Sequence, residues 1–247
     1  MAGHRALSDA PLVLAVESAT ERASVALLEG ETLLLEREGA AGAHHSETLL
    51  PTIDAVLRAA EVDTARLAGL AISIGPGSFT CLRVGLATVK GLCFGTGLRA
   101  VAVPTLGALA EAARSAGVAG PGDVVVPVLD ARRGEVYGAG YRLGEEPSSP
   151  AREILPPGVF TAGGLAEALP GGGRLVGDGI AVVGAELARR GRFDAEAGAG
   201  VLPSAASVGR LAAPVLVAGR GVDPADLVPR YVRRAEAEVQ RTARRFE

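Results

Sequence analysis

Apolar positions along the chain fall into short unbroken runs that alternate with longer stripes of helical spacing. Residues 11–19 (PLVLAVESA) form an apolar run of strand length and predict a buried strand. Residues 22–30 and 31–38 follow, joined at Glu29-Gly30, and predict a hairpin, so the chain opens with three antiparallel strands. Ser46 is placed to cap a helix over 47–60, whose Pro51 either kinks it or marks where it starts in earnest. A fourth strand is expected over 66–75, parallel to the first because a helical crossover precedes it. A second helix over 79–95, a fifth strand over 98–103 and a third helix over 104–116 complete the first half, with Pro104 in the first turn of that helix. The turn-rich stretch 117–123 then predicts a lobe boundary, dividing the chain into 1–117 and 118–247.

After that boundary the pattern starts again. Residues 124–143 read as a strand pair that turns just after an acidic residue, Asp130, as the first strand turns after Glu17. An apolar strand ending in a carboxylate, a short turn and an alternating strand thus occur twice, about a hundred residues apart. The repeat predicts a duplicated α/β lobe; chance likeness of two hairpins is the competing reading. Beyond it lie a strand over 151–157, helices over 160–169, 181–191 and 204–219, and a strand and turn over 174–179. Residues 226–247 carry Arg230, Arg233, Arg234, Arg241, Arg244 and Arg245 against four acids. That is either a surface for phosphate or a solvated helix.

The second helix has more apolar surface than one lobe requires. Leu82, Leu86, Val89 and Cys93 make one stripe; Cys81, Gly85, Thr88 and Leu92 a second, mostly small; Val84, Ala87, Gly91 and Gly95 cover still more. Arg83 and Lys90 are its only charges. A helix apolar or small nearly all round is covered on nearly all sides. Gly inside a helix costs about 1 kcal/mol relative to Ala, so Gly85 and Gly91 point to a close neighbour. The preceding helix has a broad apolar face of Leu49, Leu50, Ile53, Val56 and Leu57. Together they predict a dimerising surface of Ser46, Leu49, Leu50, Ile53, Leu57, Cys81, Val84, Gly85, Thr88, Gly91 and Leu92; a densely packed internal core is the alternative.

Composition narrows the function classes. With 48% hydrophobic and 21% charged residues the chain is expected to be globular. Aromatics are 3%, with no Trp, so stacking platforms for single-stranded nucleic acid are not expected, and a net charge of −3 speaks against binding nucleic acid by overall charge alone. Cys81 and Cys93 fall in one predicted helix, about 18 Å apart, and are expected to be free thiols. No apolar span has signal-peptide or membrane length, so the cytoplasm is the expected compartment.

Candidate chemistry centres on residues 73–85, SIGPGSFTCLRVG, where a strand ends in glycines and turns into a helix. A phosphate loop of this kind needs Gly-Lys-Ser/Thr, and the residues here are Gly77-Ser78-Phe79-Thr80. The glycines Gly75 and Gly77 are therefore read as turn residues, Gly77 with positive φ, and Ser78 as the helix cap. His44-His45 lacks the four-residue spacing of a zinc pair. Glu17 and Asp130 at strand ends either hold a magnesium ion through water or cap their own turns.

The runs LAVESATERASVALL, HHSETLLPTI, GPGSFTCLRVGLATVKGL, VPTLGALA, VLDARRGEVYGAGY and VPRYVRR, in that order, resemble the TsaB (YeaZ) family. That family is the dimerisation subunit of the bacterial tRNA threonylcarbamoyladenosine machinery. The resemblance implies a duplicated actin/hexokinase/Hsp70-like two-lobe fold. It implies a non-catalytic partner that binds the TsaD transferase through its first two helices, with TsaE, a small ATPase, as third component. Contact with tRNA would be indirect or weak, and a homodimer is an open alternative for the free protein. The residues where the paralogue carries its metal-binding histidines read Val103-Pro104-Thr105-Leu106 here. Both nucleotide-side turns lack their glycine: Glu17-Ser18-Ala19 and Asp130-Ala131-Arg132. No cofactor of its own is implied, although Mg-ATP or ADP at a boundary shared with the partner stays open, with Glu17, Asp130 and Arg132 on the nucleotide side. Cys81 stands where the family usually has Gly, and Glu17 where Asp is more usual. The rival reading is an enzyme of the same fold acting alone, an ATPase, small-molecule kinase or peptidase.

Overall fold

The structure, a computed structural model, describes residues 10–40, 42–146 and 149–233. The first sheet has the order β3-β2-β1-β4-β5. Its central strand β1 (Leu12–Glu17) pairs antiparallel with β2 (Ser24–Glu29) and parallel with β4 (Leu67–Ser73). Strand β3 (Thr32–Glu38) and β5 (Ala100–Val103) take the edges. The predicted hairpin is present, and Gly30 at φ 57° makes the turn that a side chain would strain. Helices α1 (His45–Ala59) and α2 (Phe79–Thr96) cover one face. There Leu49, Ile53, Val56, Leu86 and Val89 pack with Leu12, Leu14 and Val16. The other face takes α6 (Ala205–Val217), with Gly209 against Leu28 and Leu216 against Gly69.

Ser46 does not cap α1. The helix starts two residues earlier than expected, at His45 behind His44, which makes no side-chain cap bond, and Ser46 lies inside the first turn. Pro51 neither ends nor starts the helix; it lies within it, on the exposed side.

The second sheet has the order β10-β9-β6-β7-β8. Strands β6 (Val124–Asp130), β7 (Val136–Arg142) and β8 (Arg152–Phe160) are antiparallel neighbours, and β9 (Gly173–Val176) runs parallel to β6. Helix α3 (Thr105–Ser115) packs on one face through Leu106, Leu109 and Ala113. Helices α4 (Ala162–Ala168) and α5 (Ile180–Ala188) pack on the other through Leu165, Val183 and Leu187. The two-residue β10 (Phe193–Asp194) was not legible in the sequence. Each sheet thus repeats three antiparallel strands, a helix, a parallel strand, a helix and a parallel strand, the duplicated plan of the actin/hexokinase/Hsp70-like fold.

The boundary expected at 117 is corrected. One compact unit comprises the chain up to residue 74, 80–103 and 204–228; the other 75–79, 104–203 and the chain from 229 onward. The reason is that α3 follows β5 in sequence but buries its apolar face on β6, and α6 follows β10 but packs on β1 and β2. The last helix of each repeat belongs to the sheet of the other. Of the Arg-rich end, Arg230 and Arg233 are described; Arg234, Arg241, Arg244 and Arg245 lie outside the described residues.

Candidate functional site

The glycine loop before α2 is tied at Gly75 to the start of α3. The Gly75 N–H donates to Thr105 Oγ1 at 3.0 Å, and the Thr105 N–H donates back to the Gly75 carbonyl at 3.0 Å. The left-handed conformation falls on Gly75, at φ 113°, not on Gly77 as expected. Ser78 immediately precedes the first helical residue, Phe79. Thr105 is fully buried, so this loop is a splice between backbone segments.

The strand-end carboxylates serve their own turns. The Ala19 N–H donates to Glu17 Oε1 at 2.6 Å, and the Arg132 N–H donates to Asp130 Oδ1 at 2.7 Å, the same two-residue cap in both repeats. Glu17 is completely buried and its carboxyl is pushed up from 4.5 to about 7, chiefly because burial penalises the charge; the Ser73 hydroxyl and the Ala19 and Thr20 amides pull the other way. Glu17 Oε2 and Ser18 Oγ have no hydrogen-bond partner among the described residues. The carboxyl of Glu17 is thus enclosed rather than open to solvent. Asp130 is half-buried, 3.3 Å from the Arg132 guanidinium, and its own N–H donates to Asp178 Oδ1 at 3.0 Å. Among the described residues no group of three or more His, Cys, Asp or Glu is arranged to hold a metal.

The expected partner face divides in two. Leu49, Ile53, Leu57 and Gly85 are buried in their own unit and are corrected from partner contacts to core. For Gly85 the cause is specific: a Cβ there would collide with Ser18 Oγ and lie 3.1 Å from Ile72 Cδ1. Gly85 flanks the Leu82-Leu86-Val89-Cys93 stripe, so the helix turns it inward. Ser46, Leu50 and Gly91 are exposed, and Cys81, Val84, Thr88 and Leu92 are half-buried. Leu50 keeps 54% of its surface and Phe94 70%. Ala87 and Phe94 join the face although the expectation omitted them. Their signal was spacing, because Thr80, Val84, Ala87, Gly91, Phe94 and Gly95 share one outward line. That line carries no charge, since Arg83 and Lys90 lie along one flank. Nothing lies within 4 Å of a Cβ built on Gly91 or Gly95.

A cleft of about 620 Å³ lies between the starts of α1 and α2, lined by Arg22, Glu38, His44, His45, Thr80 and Cys81 among others. Arg22 is ion-paired with Glu38, and the His45 Nε2 is 2.9 Å from the Thr20 carbonyl. Cys81 and Cys93 are free thiols. Among the described residues no helix is long and apolar enough to cross a membrane.

Comparison with known proteins supplies a context for this face. Residues 39–154 match the family described as TsaD, tRNA N6-adenosine threonylcarbamoyltransferase. The chain is 35% identical over 139 residues to the tRNA threonylcarbamoyladenosine biosynthesis protein TsaB of Escherichia coli, covering 54% of this chain and 56% of that one. It is 38% identical over 126 residues to the Haemophilus influenzae protein of the same name, covering 51% of each. It therefore spans about half the length of the curated relatives it matches. Among solved structures, YeaZ from Pseudomonas aeruginosa superposes with a TM-score of 0.72 at 28% identity, over 90% of this chain and 99% of that one.

Proposed function

Because this chain belongs to the TsaB/YeaZ family, we propose that it works in tRNA threonylcarbamoyladenosine biosynthesis as a non-catalytic partner of a TsaD-type transferase. The uncharged outward line of α2 carries the reading. A helix on the surface of a unit ordinarily turns mostly charge to water; α2 turns Ala87, Gly91, Phe94 and Gly95 outward, with the exposed Arg83 at their flank. Small residues at Ala87, Gly91 and Gly95 let a second helix backbone approach until many atom pairs reach dispersion range. Phe94 and, on α1, Leu50 add the large apolar area that such an interface buries.

The carboxylates agree with this reading. In the proposed role nothing on this chain has to ionise, polarise or attack, and Glu17 and Asp130 are committed to backbone amides of their own turns. TsaE would join as a third component, and tRNA would be the substrate of the assembly rather than of this chain.

The test is association of the purified chain with the TsaD-type protein of the same host. Gly91→Arg and Ala87→Glu place a charge on the open side of α2, where no side chain of this unit is displaced by the first. Each is expected to weaken association at least tenfold, read by size-exclusion chromatography and calorimetry, while circular dichroism stays unchanged. Undiminished association of both variants would show that α2 is not the docking helix.

A further inference from the structure

Three stretches far apart in sequence meet in the second unit. Phe79 stacks on Tyr231, ring centroids 5.2 Å apart at 28°. Both rings stay open to water, at 39% and 41% exposure. Two residues on, Arg233 donates to the Ala131 carbonyl at 3.0 Å and pairs with the Glu135 carboxylate. That side chain ties the stretch carrying Tyr231 to the turn between β6 and β7. The turn presents Arg132 and Arg133, both exposed, and Arg230 is exposed beside Tyr231.

Two features of this meeting point stand out. The chain has only eight aromatic side chains, five Phe and three Tyr, yet two of them form a wet stack instead of filling core. Arg132 and Arg133 also stand at φ 66° and 60°, the left-handed region, where a Cβ is disfavoured and Gly or Asn is the ordinary occupant. The turn thus holds two arginines where local conformation disfavours them. The exposed charges on the turn and on the stretch it meets are basic, Arg132, Arg133 and Arg230, with Arg132 3.3 Å from Asp130 and Arg233 paired with Glu135.

We propose that the Phe79–Tyr231 stack, with the exposed Arg132 and Arg133 of the turn that Arg233 ties to this stretch and with Arg230 next to it in sequence, binds a single-stranded segment of RNA. An unpaired base stacks on the open ring surface and the flanking phosphates meet the guanidinium groups. Aromatic faces accept any base, so the patch holds and orients a strand without reading its sequence. This rests on the tRNA reading given above and assigns part of the RNA contact to this chain itself.

The experiment is fluorescence anisotropy of the purified full chain with a short fluorescein-labelled single-stranded RNA of mixed sequence, and with its duplex, across a salt series. Tighter binding of the single strand is expected. Arg132→Asn combined with Arg133→Asn removes both charges but keeps residues that tolerate the left-handed turn. This variant should flatten the slope of log affinity against log salt by about 0.7 for each phosphate it no longer neutralises. Tyr231→Ala should lower affinity about fivefold or more with the slope unchanged. No measurable binding at low salt, or equal binding by the variants, overturns the proposal. So does loss of association with the TsaD-type partner by the same variants while RNA binding is kept, which would make the patch a protein-docking face. Restoration of threonylcarbamoyladenosine by the wild-type chain, in a host depleted of its own family member, decides the biosynthetic reading separately. The anisotropy result decides this one whatever that assay gives.

Discussion

Glu17 is the residue whose chemistry differs most from its place in the sequence. At the end of β1 it looks like a ligand-binding carboxylate, but it is sealed in and holds its proton up to about pH 7. The sign of the consequence follows from proton binding. Between the ordinary 4.5 and about 7 the folded chain keeps a proton that the unfolded chain has released. Stability contributed by the neutral carboxyl is therefore complete below pH 4.5 and is lost as pH rises through 7. Glu17→Gln, neutral throughout, should remove that slope. Relative to wild type it should gain up to about 3 kcal/mol between pH 4.5 and pH 8, compared by thermal unfolding. A difference between the two proteins that is constant with pH would show that Glu17 is charged inside the fold. Asp130, its counterpart in the second repeat, is half-buried and paired with Arg132, so equivalent backbone positions carry unlike electrostatics. The sequence revealed the pair of carboxylates and not this difference, because burial depends on what other segments cover each turn.

At the scale of the element, α2 shows two glycines with opposite roles six residues apart. Gly85 is inward, where any side chain meets Ser18 and Ile72; Gly91 is outward with open space around it. Gly85→Ala is therefore expected to lower stability by about 1–3 kcal/mol, overpacking outweighing the better helix propensity of Ala. Gly91→Ala should raise stability of the free chain by about 0.5–1 kcal/mol for the propensity reason alone. Urea unfolding of both variants measures the two signs, and a Gly85→Ala protein as stable as wild type would overturn the assigned inward packing. The helical stripes were legible in the sequence; the stripe that faces the sheet was not fully so. A helix that is apolar or small on most of its circumference gives little contrast between its sides, and the neighbouring strand, with Ile72 at hand, made the choice. The same ambiguity placed Leu49, Ile53 and Leu57 on a partner face, although they complete the core beneath α1.

For the whole molecule, the exchange of final helices is the main consequence. The helix that follows each repeat closes the sheet of the other, so neither half of the sequence is a folding unit by itself. A chain ending at residue 203 lacks α6 and uncovers the face of the first sheet that holds Leu28 and Gly69. It also loses the Ser24 hydroxyl and Glu36 carboxylate contacts to the start of α6, at 2.8 and 3.0 Å. Such a chain should be recovered aggregated or cleaved within residues 10–103 under limited proteolysis, while 104–203 resists longer. Equal resistance of both parts would show that α6 is dispensable. Solubility, far-ultraviolet circular dichroism and mass spectrometry of the fragments read the outcome.

The sequence by itself determined the kinds and order of the elements apart from the two-residue β10, and pointed to the duplication, because apolar spacing and turn residues act over a few neighbouring positions. Only the tertiary structure decided which sheet each final helix closes, which side of α2 stays wet, how deeply Glu17 is enclosed, and that Phe79, Tyr231 and the Arg132–Arg133 turn lie together. Those outcomes depend on segments dozens to hundreds of positions apart, brought into contact by packing that no local pattern encodes.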